Sequence, residues 1–273
     1  MKKTLFLIAV LVTGYTSLPA QVKVPLKKTI ELTMSRTIDD NRPGTRGACV
    51  AWHPVLRKYY AAFAGNAEYP LSVFDEKGKR LSSDDLNTMA DTRGLWYNPV
   101  SKTINGNSYD AGGWFSYKLD KAGIPVDVAI LHEGMNQPTD QAVGVYNPIA
   151  KQVLFFSNSQ VFMYNSNAEA KDTLTIHWGR RKVDGISDEE DPEYFNEDYN
   201  SNALVYTGIK GQELGFLNII TKEIGLYDIK TGYLTKTLIL PEEALTETTF
   251  NFAYANGTYW LFDMENRKWT GYK

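Results

Sequence analysis

Few residues of this chain can do covalent or metal chemistry. The 273 residues include three histidines, His53, His132 and His177, and one cysteine, Cys49. They do not combine into a His-Glu-x-x-His helix, and no Gly-x-Ser-x-Gly elbow or phosphate-cradling glycine loop accompanies them. One cysteine can form neither an intramolecular disulfide nor a cysteine zinc cluster. His53 precedes Pro54 and reads as a turn residue. Cys49, inside the apolar run Ala48-Cys-Val-Ala51, reads as a small buried hydrophobe. The sequence therefore assigns no catalytic residue, no metal ligand and no cofactor.

Carboxylates and loop polar groups remain. Glycoside hydrolysis needs two carboxylates at a suitable separation, and Glu133, Asp140, Asp91 and Asp191 lie in loops that offer them. Any acidic loop would do the same, so an enzyme acting on carbohydrate stands as the alternative reading. The stretch Asp184 to Asp198 holds eight acidic residues and no Lys or Arg. Hard cations take six to eight oxygens, but this stretch lacks the glycine and glutamate spacing of an EF-hand loop. It reads as a solvated insertion beside the basic trio Arg180-Arg181-Lys182.

The elements that position these groups follow from a repeat. Val50-Ala-Trp-His-Pro54, Leu95-Trp-Tyr-Asn-Pro99 and Gly144-Val-Tyr-Asn-Pro148 each end an apolar strand in a His-Pro or Asn-Pro turn, and a second strand follows. Weaker copies run from Ala203 to Phe216 and from Phe250 to Phe262, turning at Gly208 to Gly211 and at Asn256-Gly257. An Asn-Gly pair between apolar runs is a hairpin signal. Third strands follow at Pro70–Phe74, Trp114–Tyr117, Val161–Tyr164, Ile224–Tyr227 and Arg267–Tyr272. A fourth is clearest at Tyr233–Leu240. No segment holds a 3.6-residue apolar period for three turns.

A four-stranded meander recurring every 45–60 residues or so is the signature of a β-propeller blade. The predicted fold is all-β, a propeller of five blades, with six as the alternative if residues 171–201 hide a degenerate copy. The last copy ends at Lys273 without its outer strand. Leu26–Thr33 resembles Leu234–Leu240 and is expected to pair with the C-terminal blade, which closes the ring and protects its edges. The arrangement resembles the β-propeller superfamily, including the propellers of secreted bacterial proteins. The resemblance covers most of residues 21–273. It names no specific family, because the chain has no WD dipeptide signature, kelch double glycine or sialidase Asp-box.

Large rings at Trp52, Trp96, Tyr97, Trp114, Phe115, Tyr146, Phe155, Phe156, Tyr206 and Trp260 fall inside the repeat. They are expected to pack between blades, where each ring buries much apolar surface. A sugar-stacking role would require exposure at a face. The segments before the inner strands are polar: Asp39 to Gly47, Asp84 to Gly94, His132 to Gln141, Asp188 to Asn202 and Glu242 to Thr249. Two contain Thr-Arg-Gly, which places Arg46 and Arg93 at comparable positions. With Asp91, Asp140, Gln141 and Asn202 they form the expected ligand-binding set, suited to a glycan or a peptide carboxylate.

Composition bounds the rest. Acidic residues outnumber basic ones 32 to 29, a net charge of −3, which disfavours nucleic acid as a partner. Lys2-Lys3, the apolar run Leu5–Val12 and Pro19-Ala20 read as a secretory signal cleaved after Ala20. Without it the chain carries a net −5. No later segment is long and apolar enough to span a bilayer. The expectation is a single domain over residues 21–273, secreted or periplasmic and monomeric. It would bind a polar ligand or an envelope protein at its central face, or serve as a structural component of an envelope complex.

Overall fold

The computed structural model describes residues 23–36, 45–180 and 196–273. The expected signal at 1–20, the loop residues 39–44 and residues 184–195 of the acidic stretch, with Asp191, lie outside the described residues. Among the described residues no helix is long and apolar enough to cross a membrane.

Two short strands, β1 (Lys23–Pro25) and β2 (Lys28–Thr33), precede the blades. Blade 1 is β3 (Arg46–His53), β4 (Lys58–Ala64) and β5 (Leu71–Asp75). Blade 2 is β6 (Thr92–Asn98), β7 (Thr103–Ser108), β8 (Trp114–Leu119) and β9 (Pro125–His132). Blade 3 is β10 (Val145–Asn147), β11 (Gln152–Ser157), β12 (Gln160–Tyr164) and β13 (Ala170–Thr175). Blade 4 is β14 (Val205–Tyr206), β15 (Leu214–Asn218), β16 (Glu223–Tyr227) and β17 (Leu234–Ile239). Blade 5 is β18 (Phe252–Ala255), β19 (Thr258–Asp263) and β20 (Lys268–Tyr272). Strands within a blade pair antiparallel from the axis outward. The first strands touch in a closed cycle, β3 to β6 to β10 to β14 to β18 and back to β3. The chain is a five-bladed β-propeller, and there is no sixth sheet among the described residues.

The inner turns explain why each hairpin closes where it does. Asn98 Oδ1 accepts the Val100 amide at 2.9 Å and Asn147 Oδ1 the Ile149 amide at 3.0 Å, and Asn218 Oδ1 takes the Ile220 amide at 3.0 Å in the second hairpin of blade 4. These are Asx turns. His53 does the same work in blade 1: its Nδ1 accepts the Leu56 amide at 3.2 Å, and its Nε2 lies 3.1 Å from the Lys102 carbonyl of blade 2. Burial holds its imidazole below the ordinary range. The turn role read from the sequence is therefore borne out.

Five apolar cores lie between successive blades. Phe63 meets Phe262 across blades 1 and 5, with ring centroids 5.5 Å apart. Phe156 meets Phe216 across blades 3 and 4 at 5.0 Å, and Trp114 meets Phe155 across blades 2 and 3 at 6.1 Å. Tyr60, Leu71 and Val73 pack on Leu95 and Phe115 between blades 1 and 2. Leu217 and Ile224 pack on Phe252 and Leu261 between blades 4 and 5.

The ring closes as expected. β2 pairs antiparallel with β20, Glu31 opposite Thr270 and Leu32 opposite Trp269. Leu32 is fully buried, which stabilises the closed ring by roughly 1.5–3 kcal/mol. Two features depart from a uniform four-stranded repeat. β1 adds a fifth, parallel strand to blade 4, with Val24 opposite Leu238, so the N-terminal segment straps two blades. Blade 1 has three strands, and residues 79–88 run beside β5 instead. There the Leu81 amide reaches the Val73 carbonyl and the Leu71 amide the Leu86 carbonyl. Ser82-Ser-Asp-Asp85 has turn formers where a strand would alternate.

Candidate functional site

The central channel has two ends. One is the loop end, where the polar segments enter the inner strands. The other is the turn end, where the inner hairpins reverse.

At the loop end Arg93 sits in a bulge between Thr92 and Gly94 and is 5% exposed. Its guanidinium is ion-paired with Asp91 and donates to Gln141 Oε1 at 2.9 Å and to the Thr92 and Gly65 carbonyls at 3.1 and 3.4 Å. It also lies over the Tyr109 ring, 4.7 Å from the centroid. The Gln141 carbonyl accepts Asn202 Nδ2 at 3.1 Å, and Asn202 Oδ1 accepts the Phe250 amide at 2.8 Å. Asn251 Oδ1 accepts the Gly47 amide at 2.7 Å. Together these bonds run from blade 1 through the segments leading into blades 2, 3, 4 and 5, and back to blade 1.

The structure thus brings Asp91, Arg93, Gln141 and Asn202 together, as groups that satisfy one another. Asp140 stands beside them, where its carboxylate holds the Tyr109 phenol above its ordinary pKa through a hydrogen bond. Arg46 does not join them. It is exposed and opposite Ala64, and Cys49 opposes Ala62 as Gly94 opposes Asn107. Counted from the turns, Arg46 therefore matches Asp91, not Arg93. The shared Thr-Arg-Gly misleads because β3 runs further before its bulge.

Cys49 is buried, and desolvation pushes its thiol pKa up. His132 Nε2 lies 2.9 Å from the Ser166 carbonyl, and His177 stacks on Tyr233 with centroids 4.0 Å apart. Glu133 is exposed. Among the described residues no cluster of three His, Cys, Asp or Glu could hold a metal ion.

At the turn end the inner strands of all five blades line a cavity of about 360 Å³. That lies within the range of about 300–1,000 Å³ typical of small-molecule sites. Its mouth carries one aromatic side chain per blade: Trp52, Tyr97, Tyr146, Tyr206 and Tyr254. They occupy one position of the repeat, directly before the turn, opposite Tyr59, Ile104, Val153, Leu214 and Tyr259. Because strand side chains alternate, residues two back (Val50, Leu95, Gly144, Leu204 and Phe252) fall on the same strand face and also line the cavity.

All five mouth rings are half-buried. Neighbouring rings brace three of them: Trp52 on Tyr59 at 4.5 Å, Tyr97 on His53 at 4.6 Å and Tyr254 on Tyr259 at 4.9 Å. Burial raises the pKa of the Tyr146, Tyr206 and Tyr254 phenols, so they stay neutral donors. None of the four tyrosine hydroxyls of the mouth is bonded to a described protein group. The reading of the repeat aromatics as inter-blade packing holds for Trp96, Trp114, Phe115, Phe155, Phe156 and Trp260, all buried, and Trp52, Tyr97, Tyr146 and Tyr206 also pack, partly buried, against the inter-blade cores. It does not place these four at a cavity, and it leaves out Tyr254. The available signal was positional: each ring stands immediately before its turn residue.

Neither protein-family models nor curated proteins match the chain. Among solved structures it is similar to glutaminyl cyclase from Myxococcus xanthus. The TM-score is 0.55 at 8% sequence identity, covering 93% of this chain and 97% of that chain. At that identity the likeness bears on the fold alone.

Proposed function

We propose that this propeller is an exported, non-catalytic binding module that takes a sugar ring of a glycan into the aromatic mouth at the turn end. One observation carries the reading: five half-buried rings, one from each blade, surround a single cavity, and four of them bring hydroxyls that no described protein group engages. A sugar offers an apolar C–H face and a rim of hydroxyls. Ring faces stack on the first, and neutral phenols exchange hydrogen bonds with the second. Asp91, Arg93, Asp140, Gln141 and Asn202 then serve the opposite end, where they hold the blades together. The similar fold of glutaminyl cyclase belongs to an enzyme, but its activity does not carry over at this identity. The cavity walls here are mostly rings, aliphatics and backbone, with Cys49, Thr207 and Asn256 among them, and the loop carboxylates Asp91, Glu133 and Asp140 lie outside its lining.

Glycan-array binding followed by titration through tryptophan fluorescence tests this, since Trp52 and Trp96 line the cavity. Trp52→Ala and Tyr146→Ala should each weaken binding about tenfold, equivalent to about 1.4 kcal/mol. Sugar binding that survives the double variant would place the ligand elsewhere.

A further inference from the structure

The turns around the mouth share a second feature that packing does not require. Val55, Val100, Ile149 and Ile209 are 69%, 72%, 80% and 46% exposed. Each sits at the tip of an inner turn, just past Pro54, Pro99, Pro148 or Gly208. Single exposed aliphatics are ordinary. Four at one repeat position around one opening form a crown, and such patches mark interaction surfaces. None of the four lines the cavity itself.

Each tip is followed within two residues by a cation: Arg57, Lys102, Lys151 and Lys210. Arg57 is paired with Glu76 of a neighbouring turn. Lys102, Lys151 and Lys210 are exposed and make no ion pair among the described residues. Glu213, the acidic group of these inner turns, is occupied with the Gly211 and Ile229 amides at 2.9 and 3.3 Å. The inner turns are therefore basic on a chain whose net charge is −3.

We infer that the crown docks the propeller on an anionic lipid surface. Aliphatic tips arranged around one axis suit a broad apolar layer rather than a cleft. Lysines directly behind them would meet acidic headgroups while the tips enter the acyl boundary. A second copy of the chain fits less well, because face-to-face crowns would oppose lysine with lysine. The inference stands independently of the sugar reading. Where both hold, the sugar reaching a docked mouth is one carried at the lipid surface.

The test is co-sedimentation of the full chain with vesicles of phosphatidylcholine alone and of phosphatidylcholine mixed with phosphatidylglycerol. Wild type should bind the phosphatidylglycerol vesicles, and added salt should release it. The triple variant Val55→Ser, Val100→Ser, Ile149→Ser should lose at least about nine-tenths of the bound fraction. Lys102→Glu with Lys151→Glu should abolish the preference for anionic vesicles. Thermal melts of both variants check that they fold, and glycan titration reads the mouth separately. No binding to phosphatidylglycerol vesicles, or binding unaffected by both variants, overturns the inference. So does a wild-type dimer that the serine variant dissolves, or a protein partner that needs the crown while vesicles are ignored.

Discussion

At the loop end of the channel Arg93, Gln141 and Asn202 are turned toward one another and bridge the blades. At the turn end of the same inner strands Trp52, Tyr97, Tyr146, Tyr206 and Tyr254 are half open to solvent. The polar residues look functional in the sequence and are hydrogen-bonded to one another in the fold. The rings look structural and line a mouth. The difference follows from how each end is built. Loop segments vary in length and sequence, so their polar groups can fold back and satisfy each other. The turns are near copies, so whatever side chain precedes them is repeated around the axis.

That contrast can be broken most sharply at Arg93. Arg93→Leu should cost about 2–3 kcal/mol in urea denaturation, because it leaves Asp91 and Gln141 without their partner. A neutral result would mean that the loop-end bonds do not hold the blades and that Arg93 is free for a ligand.

A smaller effect is expected at His53, which supports the turn end. Its imidazole pKa is held below the ordinary value near 6.5 by burial. As pH falls the unfolded chain takes up this proton first, so the contribution is complete above about 6.5 and declines below it. His53→Asn should keep the turn, by analogy with Asn98 and Asn147, and flatten the acid limb of a stability–pH profile. An unchanged limb would remove His53 as its source. The smallest effect is expected for Arg46→Ala, within about 0.5 kcal/mol by the same denaturation. A loss as large as that of Arg93→Leu would restore the equivalence implied by their shared Thr-Arg-Gly.

Much of the architecture is legible in the sequence. The prolines at 54, 99 and 148 mark turns, apolar runs on both sides mark strands, and the missing outer strand of the last copy pointed to Leu26–Thr33. The parallel strand β1 was not legible. Three residues carry no pattern, and their place depends on the free edge of blade 4. The missing fourth strand of blade 1 was visible only as a polar stretch. Arg46 and Arg93 were misaligned because β3 and β6 place their bulges at different distances from their first residues, and a bulge leaves no fixed mark in composition.

Local chemistry alone determined that this chain makes antiparallel hairpins and where the inner ones reverse. Alternating side chains and turn residues act over a few positions, so they can be read one stretch at a time. Only the tertiary ring decided which rings are core and which line an opening. Trp96 and Tyr97 are neighbours in the chain. Trp96 is buried between blades 2 and 3, while Tyr97, packed on the core between blades 1 and 2, stays half exposed at the cavity, because exposure depends on how closely five inner strands approach a common axis.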